Sequence, residues 1–104
     1  MILIDVNVLV YAHRTDAANH SRFRQWLESV VNADATYGMS ELVLSSFLRI
    51  VTHPRVFRQP SPIESALAFA EEVKSRPNCL LVHPGERHWG IFNNLCNSVG
   101  ARGN

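Results

Sequence analysis

A chain of 104 residues, 46% hydrophobic and 18% charged, has the apolar content of one globular domain, which excludes a disordered tail and a membrane-spanning protein. Its formal net charge of +1 excludes nucleic-acid binding through a global basic field and leaves that task to local clusters. Nine of the ten basic residues are arginine, whose planar fork suits phosphate, and Cys79 and Cys96 form neither a CxxC pair nor a metal spacing, which fits a reducing cytoplasm.

Ile2 to Ile4 is a short apolar run ending at Asp5, the pattern of a buried parallel strand that delivers a carboxylate to its carboxyl end. The opening lacks a basic n-region and carries Asp5 and Asn7 within its apolar run, so it reads neither as an export signal nor as a membrane span. The spacing Val6, Leu9, Val10, His13 predicts a helix that follows the strand with almost no loop. Asn19 or Ser21 can cap a second helix, whose Phe23, Trp26, Leu27, Val30 and Val31 should form one buried face and which should end near Asn32.

Thr36 to Met39 is a brief strand candidate, followed by Ser40 as the N-cap of a helix that Glu41 opens. That helix stops around His53 because Pro54 disfavours helical geometry in the residue before it. After an irregular connection, Pro62 suits the first turn of a fourth helix with Ile63, Ala66, Leu67, Phe69, Ala70 and Val73 on its apolar face. Cys79 to Val82 then reads as a buried strand, and Gly85 and Glu86 lead into a fifth helix bearing Trp89, Ile91, Phe92, Leu95 and Val99. Strands alternating with helices predict a three-layer α/β domain with a short, mostly parallel sheet and right-handed crossovers.

Two acids stand out by position: Asp5 at the end of the first strand and Glu41 at the helix start after the second. Sites in open α/β sheets form outside the carboxyl ends of the strands, so these carboxylates can converge although 36 positions separate them. Their hard oxygens suit Mg²⁺ or Mn²⁺, which can activate water and neutralise a phosphodiester. The plain alternatives are a strand-end acid that caps the next helix, for Asp5, and a first-turn glutamate favoured by the helix dipole, for Glu41. Arg14, Arg49, Arg55 and Arg58 are candidates for gripping RNA phosphates, two of them flanking Pro54. His53, His83 and His88 have no zinc spacing and read as surface or structural residues, and Trp26 and Trp89 read as core.

The opening ILIDVNVLVYA resembles the first block of VapC-type PIN domains, a hydrophobic run followed by D-x-N/T-x-L-x-Y-A, and MSELVLSSFLRIVTHPRVF resembles their second block. The resemblance covers nearly the whole chain. It implies that Asp5 and Glu41 are metal ligands and catalytic residues, with Asn7 and Ser40 as polar supports beside them. It further implies a Mg²⁺- or Mn²⁺-dependent endoribonuclease acting on structured RNA of the tRNA or rRNA class. A VapB antitoxin would inhibit it, and the complete protein would be a cytoplasmic homodimer. The apolar faces of helices one, two and four offer a groove for an amphipathic antitoxin helix.

The family pattern continues into a segment with a third acid at a helix start and a last strand with a fourth, and Glu71, Glu72 and Glu86 match neither. The expectation is therefore a single PIN domain over residues 1–104 that lacks the last acid-bearing helix and strand and is inactive alone. A truncated fragment that retains antitoxin or RNA binding is the non-enzymatic alternative. A haloacid-dehalogenase-like phosphatase, which also places an aspartate after a first strand, is disfavoured because Asn7 stands where that class has its second aspartate.

Overall fold

Asp5 starts the first helix two residues after the regular pairing of the first strand ends. Its backbone is extended, at φ −81° and ψ 156°, while its Oδ1 accepts a hydrogen bond from the Val6 amide at 2.7 Å. Carboxylate capping satisfies one of the donors a helix start leaves free. Ser40 does the same thing 35 residues later: it is extended, and its Oγ accepts from the Leu42 amide at 3.1 Å. At Ser40 the strand turns directly into a helix, and at Asp5 it does so after two residues.

The computed structural model describes residues 1–82. Within them the chain runs β1 (Ile2–Leu3), α1 (Val6–His13), α2 (His20–Val31), β2 (Tyr37–Ser40), α3 (Glu41–Val51), α4 (Ile63–Lys74) and β3 (Cys79–Val82). The fifth helix expected after Gly85, with Trp89 on it, and residues His83, His88 and Cys96 lie outside the described residues. None of the described helices is long and apolar enough to cross a membrane.

The three strands form one parallel sheet in the order β1-β2-β3, with Ile2 opposite Tyr37 and Leu3 opposite Gly38, and β2 in turn paired along its whole length with β3. With the usual right-handed crossovers, two successive connections in the same direction put their helices on one face. Burial agrees with this arrangement. Tyr37 and Met39 point into a core with Leu9, Phe47 and Val51, all of them essentially inaccessible. On the other face, Leu3 and Leu80 flank Gly38 and remain 60% and 51% exposed. A Cβ at Gly38 would overlap the Leu3 side chain, so the absence of a side chain there lets the neighbouring strand's leucine lie over β2.

Several sequence expectations need adjusting. The regular pairing of β1 is shorter than Ile2 to Ile4, although the Ile4 amide still bonds the Gly38 carbonyl at 3.3 Å, and β2 is shifted one residue to end at Ser40. Asn19 occupies the cap position of α2 in the left-handed region, φ 60°, and its side chain makes no capping bond. Trp26 is 41% exposed rather than core, and Ile63 and Leu67 of α4 are also exposed. An amphipathic pattern marks the side of a helix that can be buried, and what packs against that side decides how much of it is.

Candidate functional site

Because β1 and β2 are neighbouring parallel strands, their carboxyl ends share one edge of the sheet. Continuing the register from Leu3 and Gly38 sets Asp5 beside Ser40, the residue before Glu41. Adjacent strands lie about 4.8 Å apart. The amino ends of α1 and α3 open at the same edge, each beginning one residue after its cap. Helix amino ends carry partial positive charge and free amide donors, so this edge tolerates carboxylates and attracts phosphate.

Both acids are exposed. Asp5 uses one carboxylate oxygen for the Val6 amide, and Glu41 is engaged by no ion pair among the described residues. Such unspent hard oxygens on a shared edge are the donor chemistry Mg²⁺ or Mn²⁺ takes. The residues present fit a divalent ion in kind. Among the described residues no three of His, Cys, Asp and Glu come together as a metal-holding group. Ser40 lies next to Glu41 and spends its hydroxyl on the α3 cap, while Asn7 is exposed on the first turn of α1.

The four arginines fall into two kinds. Arg49, Arg55 and Arg58 are exposed at the far end of α3 and in the connection after it; eight residues of helix put Arg49 about 12 Å along the axis from Glu41. Arg14 is different, and its expected place in a phosphate grip is corrected by the structure. It is 9% exposed, its Nε and Nη2 donate to the two carboxylate oxygens of Asp16 at 3.0 and 2.7 Å, and its Nη1 donates to Ser61 Oγ at 3.1 Å. The guanidinium also lies 4.1 Å from the Phe57 ring centroid. A fork already filled by a carboxylate and stacked on a ring ties the 52–62 connection to α1.

Ser61 joins a second residue that sequence reasoning left unnamed as a partner. Its buried hydroxyl lies 3.0 Å from His13 Nε2, and since Arg14 can only donate, the serine proton is free to go to the imidazole. The His13 ring packs edge-on against Phe47 and Phe69, at 5.4 and 4.9 Å between centroids. Burial, with the Arg14 charge second, holds His13 below the usual histidine range. No local signal marked this node, because its members are 47 and 48 positions apart. His53, read from sequence as structural, accepts from the Arg55 amide at 3.0 Å and shapes the same connection.

The PIN-domain family model matches residues 2–100. The chain belongs to the PIN-domain family. Similar proteins include ribonuclease VapC25 of Mycobacterium tuberculosis, 44% identical over 103 residues that span 99% of this chain and 72% of that one. Ribonuclease VapC43 of the same species is 41% identical over 104 residues, all of this chain and 71% of its own. Ribonuclease VapC31 is 42% identical over 103 residues, 99% of this chain and 72% of its own. These relatives make it a PIN domain of the VapC type and set aside the haloacid-dehalogenase reading. The parallel sheet with acids at its carboxyl edge is the frame on which this PIN domain carries its candidate site.

Proposed function

We propose that this PIN domain is a metal-dependent endoribonuclease toxin, with Asp5 and Glu41 as metal ligands and catalytic residues, and with RNA of the tRNA or rRNA class as substrate. The observation that carries the reading is the placement of both carboxylates, at two helix amino ends, on one edge of the parallel sheet. When bound there, Mg²⁺ or Mn²⁺ supplies an activated water and charge neutralisation at a phosphodiester. Asp5 and Glu41 hold that position, while the α1 and α3 amino ends orient the anionic backbone toward it. Asn7 and Ser40 keep the two strand-to-helix junctions polar. Arg49, Arg55 and Arg58 contact RNA farther from the scissile bond. A VapB-type antitoxin helix suits the cleft between α2 and α4, where Leu27, Val31 and Phe69 are flanked by Arg24, Glu72 and Arg76.

The test is Mn²⁺ titration by calorimetry alongside RNA cleavage. Asp5→Asn keeps an oxygen for the Val6 amide but halves the charge offered to an ion with its partner Glu41, so Mn²⁺ binding and cleavage should both fall at least tenfold while the fold survives. Unchanged cleavage by Asp5→Asn would remove Asp5 from the site. A second reading, a chain that binds RNA or antitoxin without cleaving, is favoured by the absence of any group of three or more metal-ligating residues among the described residues. It predicts RNA binding with negligible Mn²⁺ affinity.

A further inference from the structure

The outer surface of the α1–α2 hairpin carries an aromatic and arginine patch that the candidate metal site does not use. Trp26 is 41% exposed and Tyr11 40%, and Tyr11 meets Phe23 with ring centroids 5.2 Å apart. A shallow pocket of about 410 Å³ is lined by Val8, Asn19, Arg22, Phe23 and Trp26. Arg22 and Trp26 are four apart on α2 and therefore share a face. The lining holds one cation, one amide and no acid. Arg24, the other α2 arginine, is spent on Glu28 at 3.0 Å, whereas Arg22 has no ion pair among the described residues.

Flat rings beside an arginine without acids complement an unstacked base and its phosphate. We propose that this patch is a stacking platform for single-stranded RNA, with Trp26 taking a base and Arg22 the adjoining phosphate. The proposal rests on the ribonuclease reading, and it extends the substrate-contacting surface away from the carboxylate edge. Val8, at the pocket's wall, is three residues and about 4.5 Å of helix rise from Asp5, so the platform borders the site from the α1 side. A strand held there by one base leaves its next phosphates close to the α1 amino end. The occupant would be an unpaired loop or flank rather than a duplex, because paired bases offer no face to a ring.

Binding of a fluorescein-labelled single-stranded oligoribonucleotide, measured by anisotropy with EDTA present to prevent cleavage, reads the platform without the metal. Trp26→Ala should weaken binding about tenfold, the loss of one stacked base. Trp26→Phe should restore most of it, and Arg22→Ala should weaken binding and flatten its salt dependence. Trp26→Gln serves if the alanine variant folds poorly. If the parent binds RNA and Trp26→Ala and Trp26→Gln bind it equally well, the platform is overturned while the ribonuclease reading stands. If the parent neither binds nor cleaves RNA, both fall. Loss of affinity for an amphipathic peptide with RNA affinity intact would overturn the proposal in favour of a protein-docking surface.

Discussion

Asp5 caps α1, and that task separates by substitution from its proposed one, because capping needs an acceptor oxygen while metal binding needs charge. The asparagine variant keeps the first and loses the second, which makes it the informative test of the candidate site. His13 offers a residue-scale prediction of another kind. Its imidazole is held below the ordinary value of 6.5, chiefly by burial, so between the folded and unfolded values the unfolded chain binds more protons. Stability contributed by neutral His13 should therefore be fully present above pH 6.5 and decline as pH falls from there through the folded value. Urea midpoints compared between parent and His13→Gln from pH 7.5 to 5 check this. The parent should lose stability toward acid more steeply than the variant, and parallel curves would show that the fold does not hold His13 below its ordinary value.

At the scale of elements, the strand-to-helix junctions do most to position the site. Ser40 is both the last residue of β2 and the cap of α3, so one side chain sets where the strand ends and in which direction Glu41 is presented. Ser40→Ala removes the acceptor for the Leu42 amide and should cost about 1 kcal/mol in denaturant unfolding. It should also lower Mn²⁺ affinity, since Glu41 then sits on a frayed turn. Ser40→Asp, which restores a cap acceptor, should recover the stability. A stable Ser40→Ala protein with parental metal affinity would show that α3 is held by its buried Leu44, Phe47 and Val51 alone.

For the whole molecule, a net charge of +1 means that RNA affinity depends on a few placed arginines. Among the described residues, Arg22, Arg49, Arg55 and Arg58 are the exposed candidates, since Arg14 and Arg24 are engaged by Asp16 and Glu28. Four phosphate contacts to a single strand give a slope of about −3 in log affinity against log salt. Titrations between about 50 and about 300 mM salt, over which the Debye length shrinks from about 14 to about 6 Å, should return that shallow value. A slope twice as steep would mean that phosphate contacts exist beyond those four.

The sequence alone determined the order of elements over residues 1–82, since a two-residue period and a three-to-four-residue period are local properties of the chain. It also determined the Ser40 cap, because that hydroxyl acts on an amide two residues away, and the family, through blocks of adjacent residues around Asp5 and Ser40, whereas the cap that Asp5 makes was only its alternative reading. What it could not determine were the fates of side chains whose partners are distant. Arg14 reads as a free cation until Ser61 and Phe57 arrive from the far side of the chain, and Trp26 reads as core until the helix that carries it is seen to face outward. The shared edge of Asp5 and Glu41 is of the same kind: each junction is local, but only the parallel register of β1 on β2 puts the two residues at one edge of the sheet. Tertiary packing decides such matters because burial and pairing depend on which surfaces meet, and that is fixed by the strand order rather than by any residue's immediate neighbours.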